Sequence, residues 1–334
     1  MTQNRPEFAV PLPQSLNDWQ AQRNHYRQTL LSLLGDLPPM FTPQLKITAT
    51  EKRDSYTLQT FSFDNGADAN VPGWLMIPDG LTAPAPAVLY LHAHGGKYAR
   101  GKNELFDDPL MGFSPVPALM AAGYIVMAID CYMFGERSTV VPSGTMEPSR
   151  EVELTWFKKF LWEGRTLWGM IVRDDTLALN ALLAHPQVDP ARVALTGMSL
   201  GGSRTTWLAA LDERPAAVIP VAQMTRYADF AARGEYHHHG VYYYVPGALK
   251  SGLDMEILAA LAAPRLQTIL IGDSDPLSPI EGVRKIDAFT RHIYDLYGAN
   301  ERYQTIYHEG IAHAYTPQMF DDVLAALDQM KRRE

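Results

Sequence analysis

The chain has 334 residues, 46% of them apolar and 20% charged, which suits an ordinary soluble globular protein with a full-sized core. Against 37 acidic residues there are 29 basic ones, a net charge of −8, and no basic run exceeds Lys331-Arg332-Arg333, which excludes the positive stripe that nucleic acid requires. A single cysteine, Cys131, excludes an internal disulfide, no secretory signal is legible in Met1 to Gln14, and the longest apolar stretch, Ala118 to Ile129, is too short to cross a bilayer. The expectation is a soluble cytoplasmic protein that binds neither nucleic acid nor membrane.

Apolar residues at helical spacing (Leu16, Trp19, Tyr26, Leu30, Leu33 and Leu34) predict a first helix over Ser15 to Leu34, capped by Ser15 and stopped by Gly35 and Pro38-Pro39. Lys46 to Phe63 alternates in the β manner, and Asp64-Asn65-Gly66 turns the chain toward a strand at Gly73 to Ile77. From Pro86 short apolar runs follow at Ala87–Leu91, Tyr124–Ile129, Arg192–Thr196, Ala217–Val221, Thr268–Ile271 and Tyr303–Tyr307. Helical stretches separate them: Ser114–Ala122, Gly169–Ala184, Ser203–Leu211, Pro279–Tyr297 and Pro317–Met330. Such alternation predicts one α/β domain over residues 1–334, a doubly wound and mostly parallel sheet with helices on both faces. The opening segment, residues 1–80, supplies a helix and antiparallel strands at one edge. Two segments break the rhythm. Glu136 to Trp162 is long and mixed, and Gln223 to Pro264 is expected as a cap insertion at the carboxyl ends of the strands, where open sheets bind ligands.

Chemistry concentrates at Gly197-Met-Ser-Leu-Gly-Gly202. It lies between a strand and a helix, the context in which a serine is presented on a strained turn as a nucleophile. Ser199 would need a base and a group to orient that base, following in the order acid then histidine. The acid is expected at Asp275 in Gly272-Asp-Ser-Asp-Pro276, with Asp273 as the alternative because it is placed to serve a local turn. The histidine is expected at His313, in the loop before the last helix, rather than at His308, which follows its strand too closely. An oxyanion hole would draw on the backbone N–H of Leu200 and that of His94, with Gly95 the near alternative to His94.

These pieces resemble the α/β-hydrolase superfamily, and within it the dienelactone hydrolase and acetyl xylan esterase-like group. The matching stretches are Leu91–Lys97, Asp130-Cys-Tyr-Met-Phe-Gly-Glu-Arg137, Gly197–Gly202, Leu208–Arg214, Ala263–Arg265, Gly272–Asp275 and Gly310–His313, from about residue 85 to the end. The resemblance implies a Ser/Asp/His esterase working without a cofactor. Two departures are Ala93, where many relatives carry glycine, and a serine in place of the cysteine of dienelactone hydrolases proper. The latter favours carboxylic ester hydrolysis through an acyl-enzyme on Ser199. A small ester with a short acyl group is the expected substrate, an acetylated sugar being one candidate.

Other functions are weighed against this one. A peptidase of the prolyl oligopeptidase type shares the motifs, but the roughly 80 residues ahead of the first parallel strand cannot build its propeller. An amidase of small substrates, or a non-catalytic relative that only binds ligands, is a further alternative. His92-x-His94 has a metal-like spacing, but with a complete serine triad and no third and fourth ligands nearby no metal is expected to take part. His237-His238-His239 cannot all face one ion and reads as pocket lining. Tyr242 to Tyr244, Trp156, Trp162 and Trp168 would suit stacking on a sugar, although such aromatics are more often core.

Overall fold

The computed structural model describes residues 8–67, 69–106 and 111–332. Helix α1 (Leu16–Leu33) precedes an antiparallel meander of β1 (Lys46–Lys52), β2 (Tyr56–Asp64) and β3 (Asn70–Pro78). Next come β4 (Ala85–Leu91), α2 (Val116–Ala121), β5 (Ile125–Ile129), the small hairpin β6 (Val140–Val141) and β7 (Gly144–Thr145), α3 (Arg150–Trp162) and α4 (Leu167–Leu183). The remainder is β8 (Val188–Met198), α5 (Leu200–Leu211), β9 (Ala217–Val221), α6 (Tyr227–Arg233), α7 (Ala248–Ser251), α8 (Met255–Ala260), β10 (Leu266–Gly272), α9 (Ile280–Tyr297), β11 (Tyr303–His308) and α10 (Pro317–Lys331).

Among the described residues, nine strands share one sheet in the order β1-β2-β3-β5-β4-β8-β9-β10-β11. Pairing is antiparallel from β1 to β5 and parallel from there to β11. Both faces of the parallel part are covered, which is why its strands read as continuous apolar runs. On β4, Val88 and Tyr90 pack with α2 and α10, whereas Ala87, Leu89 and Leu91 pack with α4 and the end of α5. The chain steps from β4 to β5 on one side and then returns to β8 on the other. That reversal opens a crevice at the carboxyl ends of β4 and β8, the place where sheets of this class bind ligands. Among the described residues, no helix is long and apolar enough to cross a membrane.

Several elements differ from expectation, each for a local reason. The alternating run from Lys46 to Phe63 is two strands, folded back where the Arg53 N–H bonds the Tyr56 carbonyl. Helix α5 begins at Leu200, not Ser203, because Gly201 and Gly202 lie in its first turn rather than in the turn before it. Within Glu136 to Trp162 the structure forms α3, which buries Val152, Trp156 and Phe160 at a spacing of four. Of residues 223–264, α8 is interior, packed against α5 and α9, while the stretch around His238 to Tyr243 overhangs the crevice.

Strand β4 and the start of α5 approach each other backbone to backbone. A Cβ on Gly201 would lie 1.8 Å from the Leu91 carbonyl oxygen, and one on Gly197 would lie 2.0 Å from that same oxygen. That oxygen is backbone and cannot swing aside. Gly201→Ala should therefore cost about 3 kcal/mol of unfolding free energy, at the upper end of ordinary overpacking, because strand and helix must separate. Denaturant titration checks this, and a wild-type midpoint would contradict it.

Candidate active site

Ser199 sits where β8 ends and α5 begins, with φ 59° and ψ −114°. Positive φ is unfavourable for a residue with a Cβ, so the turn is strained by about 1–3 kcal/mol and must be held from outside. Its N–H donates to the Val221 carbonyl at 2.8 Å, and its own carbonyl accepts the Ser203 N–H at 2.9 Å. The hydroxyl is thereby raised into the crevice rather than folded back along the strand.

The structure brings Ser199, His313 and Asp275 together. His313 Nε2 is 2.8 Å from Ser199 Oγ, and His313 Nδ1 is 2.6 Å from Asp275 Oδ2. A carboxylate only accepts, so Nδ1 carries the ring proton and Nε2 is left to accept from the serine. Asp275 is buried, and its other oxygen takes the Leu277 N–H at 2.8 Å. Asp273 does different work: its Oδ1 accepts the Gly310 N–H at 2.7 Å, tying the loop after β10 to the loop that carries His313. His308 points away from the serine, with Nε2 3.1 Å from Asp322 Oδ2 on α10.

Leu200 is the first residue of α5, and first-turn N–H groups have no partner within their helix. In the loop after β4 the Ala93 N–H is already taken by both oxygens of the buried Glu104, at 3.0 and 2.9 Å. His94 follows at the cavity wall; its Nδ1 accepts the Gly96 N–H at 3.1 Å, and its Nε2 lies 3.6 Å from Glu153 Oε2. Glu153, on α3, also accepts from Tyr98 Oη at 3.0 Å and from the Val241 N–H at 2.7 Å. Sequence reasoning missed both glutamates. The spacing of buried residues on α3 could have revealed the helix beneath Glu153, but nothing local announces Glu104.

Beneath these loops lie buried ion pairs. Arg204 on α5 grips Asp175 on α4 through two hydrogen bonds, at 2.6 and 2.9 Å, and reaches the His92 carbonyl at 3.3 Å. Asp130 accepts the Lys102 N–H, the Lys102 ammonium and the Glu136 N–H, joining the segments that follow β4 and β5.

The crevice holds a cavity of about 440 Å³, lined by the 93–96 loop, Met198, Ser199, His238, His239, Tyr242, Tyr243, His313 and Tyr315, with Glu104 and Met111 at one side. That volume suits a small molecule. The three histidines of the 237–239 run do not converge on one point, although the His237 and His238 rings meet edge to face at 4.2 Å between centroids. His237 is exposed, His238 lines the cavity, and His239 Nε2 donates to the Leu277 carbonyl at 3.0 Å. His92 and His94 likewise diverge: His92 Nε2 accepts the Cys131 N–H in the interior, where burial and the charge of Arg204 hold its pKa well below the usual range. Among the described residues, no cluster of three or more His, Cys, Asp or Glu side chains could hold a metal. The tryptophans weighed as stacking platforms are elsewhere: Trp156 and Trp168 are buried outside the cavity, and Trp162 is 95% exposed.

Burial pushes the His239 imidazole down to about 4, an effect that the nearby His313 reinforces. The unfolded chain takes this proton as pH falls through 6.5, whereas the folded one takes it only near 4. Stability should therefore fall across that window, by up to about 3 kcal/mol from this residue. His239→Asn, still able to donate to Leu277, should show a shallower loss between pH 6.5 and 4 in thermal unfolding. An unchanged slope would contradict the assignment.

Residues 42–238, more than half of the chain and including Ser199, match the family model for acetyl xylan esterase (AXE1). YtaP of Bacillus subtilis (strain 168), described as a hydrolase, is 34% identical over 286 residues, which are 85% of this chain and 92% of YtaP. Among solved structures, one from Bacteroides fragilis NCTC 9343 described as an acetyl xylan esterase superposes with a TM-score of 0.72 at 19% identity, covering 91% of this chain and 79% of that one. A glucuronoyl esterase from Solibacter usitatus gives 0.66 at 17% identity, covering 95% and 94%. These last two likenesses speak for the fold. The family model and YtaP establish that the chain belongs to the acetyl xylan esterase (AXE1) family and is a serine hydrolase of carboxylic esters, and its fold is that of the α/β-hydrolases.

Proposed function

We propose that the protein removes a short acyl group, acetyl above all, from a small hydroxyl-bearing alcohol such as a sugar, through an acyl-enzyme on Ser199. The observation that carries this is the unbroken line from Asp275 through His313 to Ser199 at 2.6 and 2.8 Å. His313 Nε2 would take the serine proton as Oγ attacks the ester carbonyl, and Asp275 would stabilise the imidazolium formed. The N–H groups of Leu200 and His94 would receive the oxyanion. His313 would then protonate the departing alcohol, and a water deprotonated by the same nitrogen would release the acid. Cavity walls that combine Tyr242 and Tyr243 with His94, His238 and Glu104 fit an alcohol bearing both an apolar face and hydroxyls. The family description adds support for an acetylated sugar. The single cysteine is buried, in keeping with the cytoplasm as the proposed compartment.

On an acetyl ester, Ser199→Ala should lower kcat by at least about 10³-fold with folding intact, since such residues act as a unit. Asp275→Asn should cost about 10²-fold or more and Asp273→Asn within about tenfold; the reverse ranking would move the acid to Asp273. Efficiency should fall from acetyl to butyryl to octanoyl esters of one leaving group. In an open groove each added methylene would instead gain about 0.8 kcal/mol, so a steady rise to octanoyl would contradict the short-acyl proposal.

A further inference from the structure

Beside the active-site cavity lies a second one of about 500 Å³, which the chemistry above does not use. Its walls are largely apolar and aromatic, among them Phe157, Met224, Phe230, Val245 and Leu249. Among the described residues, only His239 and Tyr243 line both cavities. We propose that Tyr243, backed by His239, is the specificity-determining wall that ends the active-site cavity and limits the length of the ester it accepts. The inference rests on the esterase function proposed for Ser199.

A wall sets a length limit only if it cannot swing aside. Tyr243 Oη bonds Ser203 Oγ at 3.1 Å, on α5 one turn beyond the nucleophile, and that same oxygen accepts the Met224 N–H at 3.0 Å. The Tyr243 ring lies against Trp168 at 5.0 Å, Tyr242 at 4.6 Å and His239 at 5.4 Å between centroids. His239 is held in turn by the Leu277 carbonyl and by the edge of Phe230 at 4.7 Å. The wall thus hangs from α5, the helix that Ser199 precedes, and from the loop that carries Asp275. Opening it would disturb both. Behind it is a ready-made apolar space, so removing the ring exchanges a clash for favourable burial of each further methylene.

The experiment measures kcat/KM for two series, one varying the acyl chain from acetyl to octanoyl and one varying the alcohol of an acetate from methyl to octyl. In Tyr243→Ala the long-to-short ratio should rise at least about tenfold in one series, a size typical of pocket discrimination, and the series that gains identifies the arm facing the wall. Tyr243→Phe loses the bond to Ser203 but keeps the ring packed on Trp168, Tyr242 and His239, and should keep most of the wild-type ratio. Ala231→Phe, which refills the second cavity, should cancel the gain when added to Tyr243→Ala. Should Tyr243→Ala fail to fold, Tyr243→Leu carries the same expectation. Ratios unchanged in both series, in a variant that still turns over short esters, would overturn the inference. A wild-type profile that already rises to octanoyl would instead defeat the underlying short-acyl proposal, so the two failures are distinguishable.

Discussion

The site depends on one contact between backbones, the approach of the start of α5 to the carbonyl of Leu91 at the end of β4. Gly197 and Gly201 both pass that oxygen at distances which exclude any side chain. Because of it, the loop after β4 and the elbow after β8 share one crevice, and a β4 amide can face the same point as the Leu200 N–H. The strain at Ser199 follows from forcing a strand to become a helix within one residue. It is offset by hydrogen bonds to neighbouring backbone, notably from the Ser199 N–H to Val221 and from the Ser203 N–H to Ser199.

Around that contact, carboxylates position the loops. Glu104 takes the Ala93 N–H, Glu153 takes that of Val241, Asp273 that of Gly310 and Asp275 that of Leu277. The first three join a loop bearing a site residue to a separate segment, whereas the Asp275 bond braces its own loop from within, and hydrogen bonds to a charged acceptor are among the stronger ones available. The buried pair of Arg204 and Asp175 works one layer down, fixing α5 to α4 while the arginine holds the His92 carbonyl. Such a pair adds little net stability over an apolar replacement of the same shape. Its contribution here is orientation, because both the elbow and the His94 loop are anchored through it.

Much of this was legible in the sequence, and the rest was not, for physical reasons. Ser199 announces itself because the elbow needs small residues at fixed offsets between a strand and a helix. Asp275 and His313 stand where short loops must follow strands β10 and β11. The sheet was legible because its parallel strands are buried on both faces and therefore read as apolar runs. Glu104 and Glu153 were not, since a carboxylate that binds the backbone of a distant loop leaves no local pattern. The segment Asp130 to Arg137 is legible as a motif, but its purpose depends on Lys102, distant in sequence, folding back onto Asp130. Which of the aromatics would line the cavity was not legible either: Tyr242, Tyr243 and Tyr315 line it and the tryptophans do not, because stacking positions depend on where a long insertion folds.

The central claim is that the Ser199 hydroxyl, activated by His313, is the group that attacks the ester. Reaction with a fluorophosphonate, followed by mass analysis of the digested protein, tests it most directly. The account predicts one phosphonyl group per chain, located on Ser199, with esterase activity lost in proportion to labelling. Labelling at another residue, or full activity after Ser199 is modified, would contradict it.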